Sequence, residues 1–277
     1  MLTNTIIIFS FICSLAVLYI FYCQRTIIEY YEPIDEPLLD NEITIITYNI
    51  QKFPWSMKTF NNINNLLNNY SIILLQECYD DTYSSLQTNF PSYYIYRSKL
   101  NNLSILGSGL AILSKFKITK FDFIPFKNYN MMTLDMLSQK GFIVCRINNI
   151  WIINTHLQSA TYENYDNCAL LQLQELLKYV DTLEGDYIVG GDFNVDIKII
   201  SSIYKNNKNI TFNYPKDPTI FIDFIKGESR SDYKEGCTKL IFDYFITKKS
   251  SNIKIKKIKT LTSSYSDHNP VCAIIKI

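Results

Sequence analysis

From residue 42 onward, short β-branched apolar runs recur, and several close on a polar cluster. "ITIITYN" ends at Asn49, "SIILLQE" at Glu77, "WIINTH" at His156, and "DYIVGGDFN" at Asp192 and Asn194, while "LIFDYFITK" carries Asp243 in mid-run. "SGLAILSK" and "GFIVCRI" are two further runs without such an ending. Near-continuous apolar runs of about five to seven residues are typical of strands covered on both faces. Helical spacing is weak over residues 61–69 and strong in "YDNCALLQLQELLKYVDTL", where Leu170, Leu173, Leu177 and Val180 fall on one stripe. Strands and helices that alternate in this way predict α/β or α+β layering. The alternation in "KKSSNIKIKKIK" (248–259) predicts an edge strand with a lysine face. That face is solvated in the plain reading and turned to anionic headgroups in the sharper one.

Ahead of these runs, Thr5–Cys23 carries no charged residue. At about 1.5 Å per residue, a helix of that length approaches the ~30 Å hydrocarbon thickness of a bilayer. The leader "MLTNT" has no Lys or Arg and no A-x-A site follows, which favours an anchor over a cleaved signal peptide. Arg25 directly after the segment leans the remainder toward the cytoplasm by the positive-inside rule. The expected organisation is an anchor at 1–25, an acidic linker at 26–41 and a catalytic domain at 42–277. The linker, with "EYYEPIDEPLLDNE", reads as an extended tether.

Composition narrows the classes. Hydrophobic content of 47% with 19% charged describes an ordinary globular core and excludes a disordered chain. A net charge of +1 gives no whole-molecule field that draws the protein to nucleic acid. Cys13 and Cys23 lie in the apolar segment, and the other cysteines form no CxxC, so neither a zinc site nor a disulfide framework is expected. A reducing compartment follows. There are 2 histidines, His156 and His268, and each sits where an apolar run meets a polar turn. Imidazole is the default proton-transfer group near neutrality. P-loop, GxSxG and HExxH patterns are absent.

Active sites in sheet proteins gather where strand ends and their loops converge. Asn49, Glu77, His156, Asp192, Asn194, Asp243 and His268 would therefore meet in one cleft. Taken singly, each has a plain structural role: Asn49 as a turn former, Glu77 as a helix N-terminal carboxylate, "GGDFN" as a turn with an N-cap. Asp243 is more telling, because a carboxylate inside an apolar run must find a partner or lose its charge. Together they offer hard oxygen ligands for a divalent cation, two imidazoles, and carboxylates to orient them. Phosphate-ester hydrolysis needs such a set.

"TYNIQ", "LLQE", "SGLAILSK", "NTHLQ", "GGDFNVD", "FDYF" and "SDHNPV", in this order over residues 43–277, resemble the endonuclease/exonuclease/phosphatase superfamily typified by pancreatic deoxyribonuclease. The resemblance implies a four-layer α/β/β/α sandwich with two mostly antiparallel sheets. It also implies a Mg²⁺-dependent centre, with Mn²⁺ as the alternative metal. Carried over by motif, Glu77 is the main metal ligand, helped by Asn49 and, directly or through water, Asp267. His268 activates the attacking water while Asp243 holds its imidazole, and Pro270 helps to fix the turn. Asp192 and Asn194 bind the scissile phosphate and the nucleophile, and His156 stabilises phosphoryl charge or helps the leaving group.

"LDMLSQKGFIVCRI" resembles the neutral sphingomyelinase branch, in which an Asp and a Lys precede a Gly-aromatic strand; here they are Asp135, Lys140, Gly141 and Phe142. "THLQSATYENYDNCALLQLQELL" looks like the same branch. The implied substrate is sphingomyelin in a membrane, cleaved to ceramide and phosphocholine, with Asp135 and Lys140 positioning it. The sequence shows no clear counterpart of the apolar hairpin that soluble bacterial sphingomyelinases push into membranes. Alternatives are a metal-dependent nuclease, a phosphoinositide-type phosphatase and a non-catalytic scaffold. A nuclease calls for a basic cleft, and Arg97, Arg146 and Arg230 are the only arginines besides Arg25.

Overall fold

The structure, a computed structural model, describes residues 27–35, 42–53, 56–79, 83–99, 107–129, 135, 138–159 and 167–276. Strands β1 (Ile27–Tyr31) and β2 (Ile43–Lys52) precede a 3-10 turn (Phe60–Asn62) and the short helix α1 (Asn64–Leu67). Next come β3 (Ile72–Cys78), α2 (Tyr83–Asn89), β4 (Tyr94–Lys99), β5 (Ala111–Ser114), β6 (Ile118–Pro125), β7 (Gly141–Ile147) and β8 (Ile150–His156). Helix α3 (Asn167–Val180), β9 (Asp186–Asp192) and α4 (Ile197–Ile203) follow. The chain closes with β10 (Ile210–Asn213), β11 (Ile220–Asp223), β12 (Glu228–Arg230), β13 (Thr238–Leu240), β14 (Asp243–Lys248), β15 (Lys254–Thr260) and β16 (Val271–Lys276).

One sheet runs β1-β4-β5-β3-β2-β16-β15 and the other β10-β14-β9-β8-β7-β6, with a small third sheet β12-β11-β13. Pairs β2–β3 and β8–β9 are parallel, so both large sheets are mixed. Ile45, Leu74, Ile112, Ile143, Ile152, Ile188 and Phe245 fill the space between them. A second apolar layer packs Ile46 and Ile73 of the sheet against Leu67 of α1, Leu86 of α2 and Phe90 just after it. A third puts Val144, Val189 and Tyr244 under Leu173, Leu176, Val180 and Ile200 of α3 and α4. Both faces of each sheet are thus covered, which is why the strands read as near-continuous apolar runs. The strong helical stripe forms α3, whereas the weak one shortens to the 3-10 turn and α1. Strand β15 is the expected edge strand, with a bulge between Ile255 and Lys257 that leaves Lys256 and Lys257 both exposed.

Two expectations need correction. Residues 27–31, placed in an acidic linker, form an edge strand of the first sheet, paired with β4 from Ile27↔Lys99 to Tyr31↔Ile95. The strand is fixed by Tyr30, which stacks on Phe121 at 5.3 Å, and by Glu29, whose carboxylate meets the buried Arg97 at 3.3 Å. The folded unit therefore begins before residue 42. Asp243, read as mid-run, instead opens β14, because the run breaks after Leu240. The proposed anchor, Thr5–Cys23, lies outside the described residues, among which no helix is long and apolar enough to cross a membrane.

Removing the carboxylate at 29 strips a buried guanidinium of an ionic partner. Glu29→Ala is expected to cost about 3 kcal/mol, roughly 6–12 °C in Tm for a chain of this size, measurable by thermal denaturation. A loss under one degree would show that β1 is dispensable.

Candidate active site

The registers bring the polar strand ends to one end of the sandwich. Asp192 pairs with both His156 and Asp243, Gly141 with His156, Asn49 with Gln76, and Val271 with Thr47. The end residues of β2, β3, β8, β9 and β14, with the loops before β7 and β16, thus share one rim. Gln76 and Asn154 lock the two sheets just behind it. The Gln76 amide donates to Asn154 Oδ1 (2.7 Å) and Thr47 Oγ1 (3.0 Å), and the Asn154 amide donates to the Leu75 and Ala111 carbonyls. All four side-chain and backbone partners are buried, and hydrogen bonds made in so dry a setting fix register, although Gln76 Oε1 itself has no partner among the described residues. Neither residue was singled out from the sequence, where each only opens the polar ending of an apolar run.

Backbone strain concentrates here. Gln51, Glu77 and Asn194 adopt positive φ of 48°, 50° and 50°, which costs about 1–3 kcal/mol each for a non-glycine residue. Gly191 is required for a different reason, since a Cβ there would lie 2.0 Å from the Thr155 carbonyl oxygen. Close approach of β9 to β8 therefore sets Asp192 beside His156.

Seven of the expected residues form a connected cluster. His268 Nδ1 and Asp243 Oδ2 are 2.8 Å apart, and His268 Nε2 lies 3.5 Å from Asp192 Oδ2. Asp243 is fully buried, and its other oxygen has no hydrogen-bond partner among the described residues. The Asn49 amide donates to Glu77 Oε1 and Asp192 Oδ2, both at 2.9 Å. His156 Nε2 stands 3.5 Å from Asp192 Oδ2 and 3.9 Å from Glu77 Oε1. Asn194 donates from its backbone to Asp192 Oδ1 and from its side chain to the Leu157 carbonyl, so one side-chain N–H is already used.

Asp135 and Lys140 join this cluster from the side. Lys140 Nζ is 3.2 Å from Asp135 Oδ1 and 3.3 Å from each ring nitrogen of His156. Asp135 Oδ2 in turn accepts from the Ser159 amide (2.6 Å) and hydroxyl (2.8 Å). Ser159 lies in "HLQSA" and was missed, although a hydroxyl just past a histidine-ended strand is the kind of residue that pins a loop. Asp267 sits further out, bonded to the Ser229 and Ser266 hydroxyls. Ser229 belongs to β12 of the small sheet, which the sequence did not foretell. The hairpin joining β11 to β12 exposes Phe224 (45%) and Ile225 (97%), so an apolar hairpin does exist beside the site.

Electrostatics follow from this burial. Burial raises Glu77, with Asn49 and Lys140 opposing. Burial likewise lifts Asp192 to about 7, with His268 opposing and Asp243 adding to the rise. For His268 burial works downward, but Asp243 and Asp192 outweigh it and hold the imidazole well above its usual range. His156 goes the other way, lowered by burial and by Lys140. Asp135 would rise by burial, yet Lys140, His156 and the Ser159 bonds bring it to about 2.

This donor set fits a hard divalent cation. Ligand atoms of Asp192, Asp243 and His268 lie within 4.8 Å of one another, but most of them already meet each other, Asn49 or Asn194, and Asp243 Oδ1, unpartnered among the described residues, is fully enclosed. Glu77 is the open carboxylate, 19% exposed, with Asp267 near enough to raise it further. Glu77 and Asp267 are thus the better cation ligands. Asn49, an expected ligand, here turns its amide nitrogen to Glu77 while its oxygen accepts from the Gln51 amide at 3.1 Å. In this geometry Asn49 bridges two carboxylates, and coordination requires its amide to rotate.

Glu77, Asp192 and His268 each hold a proton more tightly folded than unfolded, so the stability each contributes is present below its unfolded pKa and lost as pH rises through the folded one. His156 acts oppositely, its contribution being lost as pH falls. Without metal, Tm is expected to fall as pH rises from about 5 to about 8. Mg²⁺ at about 100 times its Kd should restore about 2.7 kcal/mol, roughly 5–10 °C, with the gap to EDTA widening toward high pH because the ligands must be deprotonated. Thermal scans at several pH values with Mg²⁺ or EDTA check this, and a gap independent of pH would refute the cation site.

A two-sheet sandwich carrying a His–Asp pair, a second histidine and surplus carboxylates at one end defines a metal-dependent phosphoesterase type. The chain belongs to the Endonuclease/Exonuclease/phosphatase family, whose profile matches residues 46–268 and so spans every site residue described. No curated protein matches the sequence. Among solved structures, it is similar to a beta toxin variant from Staphylococcus aureus with bound magnesium ions, at TM-score 0.67 and 20% identity, covering 84% of this chain and 99% of that one. It is also similar to D. rerio TDP2 complexed with a single-strand DNA product, at TM-score 0.65 and 13% identity, covering 86% and 100%. The Haemophilus ducreyi cytolethal distending toxin follows at 0.55 and 18%, covering 83% and 97%. At these identities the likeness is one of fold.

Proposed function

We propose that the chain is a membrane-tethered, Mg²⁺-dependent phosphodiesterase that hydrolyses a lipid phosphodiester of the sphingomyelin type to ceramide and phosphocholine. The observation that carries the reading is the His268–Asp243 pair facing Asp192 and Glu77 in one polar cleft. Glu77 and Asp267, with a rotated Asn49, would hold the cation. Bound there, it would neutralise phosphoryl oxygens and acidify water.

The chain's own groups do the rest. His268 takes the proton of the attacking water through Nε2, while Asp243 on Nδ1 holds the tautomer and the ring. Its raised proton affinity means it must first become neutral, and cation charge at the neighbouring carboxylates favours that. Asp192 accepts a hydrogen bond from the water and so aims it. His156, kept neutral by burial, donates to a phosphoryl oxygen, and Lys140 beside it adds positive charge. Water oxygen bonds to phosphorus, the bond from phosphorus to the ceramide oxygen breaks, and that oxygen is reprotonated by way of solvent.

The finer substrate assignment is supported by Asp135 and Lys140, which meet at 3.2 Å against His156. The uncharged Thr5–Cys23 segment supports a membrane site. Incubating the full chain and Mg²⁺ with detergent-dispersed sphingomyelin and, separately, with supercoiled plasmid tests the choice. Phosphocholine release with intact plasmid is the expected result. Nicked plasmid without phosphocholine would make this a nuclease and remove the lipid reading.

A further inference from the structure

We propose that Lys58, which the sequence did not single out, is a further phosphate-binding residue, reaching the substrate's phosphoryl oxygens from the side of the cleft that bears Glu77 and Asp267. The assignment rests on the phosphoesterase reading above and adds a contact that the reading does not contain.

Lys58 stands in the loop between β2 and the 3-10 turn, and Gln51 fixes it there. The pairing of β2 with β3 shifts between Asn49 and Lys52, and Gln51 takes a φ of 48°. At that bend the Gln51 amide donates to Asn49 Oδ1, while its side-chain oxygen accepts from Lys58 Nζ at 3.1 Å. The Ile50 carbonyl accepts from the same ammonium at 3.5 Å. Lys58 Nζ also lies 5.2 Å from the centre of the Tyr265 ring. Tyr265 is two residues ahead of Asp267 and three ahead of His268. Lys58 is thereby held between the strand end that carries Asn49 and the loop that carries Asp267. It follows a strand of the first sheet, whereas Lys140 precedes a strand of the second, so the two lysines approach the cleft from opposite sheets.

The partners of Lys58 are all neutral. Among the described residues no carboxylate forms an ion pair with it, whereas Lys140 is paired with Asp135 at 3.2 Å. Burial draws its pKa down, and Asp267 and Glu77, near without touching, hold the charge on. A half-buried ammonium bound only to neutral acceptors keeps its charge for a further ligand. A divalent cation on Glu77 and Asp267 would offset the two carboxylates that now attract Lys58 and would repel it. An anion lying between the two positive charges relieves that repulsion. A phosphate group drawn in by the cation is such an anion, and lysine serves phosphate as a point charge. The competing role for Lys58 is a clamp that joins the end of β2 to the Tyr265 loop and touches no ligand.

Two substitutions separate these roles. Lys58→Gln removes the charge but keeps a donor for Gln51, and Lys58→Met removes both. Calorimetry measures the binding of inorganic phosphate and of phosphocholine to each full-length, Mg²⁺-loaded chain. Loss of one charge-assisted hydrogen bond should weaken both probes about 10- to 100-fold, equally in the two variants. Lys58→Arg should keep most of the affinity. Without phosphate, the thermal shift given by Mg²⁺ should not shrink in Lys58→Gln, because a positive neighbour of the cation has gone. Unchanged phosphate affinity in both variants, or a loss confined to Lys58→Met, would make Lys58 a clamp and overturn the proposal. So would a weaker Mg²⁺ shift in Lys58→Gln, or the absence of phosphate binding by the unsubstituted chain. If Lys58→Gln loses phosphate affinity while the unsubstituted chain cleaves no sphingomyelin, the substrate reading fails and Lys58 keeps its assignment.

Discussion

Replacing His268 by Ala should cut turnover about 10²- to 10⁴-fold, the usual worth of a positioned general base, with little change in KM. His268 has Nδ1 at 2.8 Å from a fully buried carboxylate and Nε2 turned toward Asp192. No other imidazole can substitute, because His156 is held by Lys140 and lowered by burial. Asp243→Asn should cost a comparable factor, since its role runs through the same ring. The double variant should then be little worse than the poorer single one, as groups that act as a unit are not additive. Steady-state kinetics of the three variants check this. Full activity in His268→Ala would remove the proposed base, and multiplying losses would mean that Asp243 acts separately.

The second large effect is expected at Glu77. Glu77→Gln keeps the shape and one acceptor but removes the charge of the one open carboxylate beside Asp267. Partners behind metal ligands already cost about 10- to 100-fold in affinity when changed, so the half-saturating Mg²⁺ concentration should rise by at least about that much. Partial recovery of turnover at high Mg²⁺ is the signature. A fall in turnover that no Mg²⁺ concentration relieves would instead give Glu77 a direct part in the chemistry. In the metal-free protein the same substitution removes a half-buried carboxylate whose charged form is disfavoured by lost solvation, so thermal stability in EDTA at alkaline pH should not fall.

Much of the site was legible because one rule governs it. Runs buried on both faces tend to place polar residues where they emerge, so Glu77, His156 and Asp192 mark strand ends, whereas β2 runs three residues past Asn49 to Lys52. Asp243 obeyed the same rule more strictly than its sequence suggested, since it opens β14 rather than interrupting it. The acidic stretch after Arg25 misled because Glu and Pro residues obscured a strand whose Glu29 serves the buried Arg97. The three-residue strands β12 and β13 are too short for any period to register, and they are held by bonds to residues far along the chain. Ser229 and Ser159 were missed for a related reason: a lone serine in a loop has no pattern, and each acquires meaning only from the carboxylate it meets. Gln76 and Asn154 show a third case, polar residues that the neighbouring Glu77 and His156 overshadow and whose partner lies on the other sheet.

Hydrolysis of a phosphodiester by the full-length chain, followed with Mg²⁺ and with EDTA beside Asp243→Asn, bears most directly on the cleft as a metal-dependent phosphoesterase centre. Turnover that needs Mg²⁺ and falls by about 10² or more in the variant is the expected result. Turnover that survives EDTA, or that Asp243→Asn leaves untouched, would contradict it.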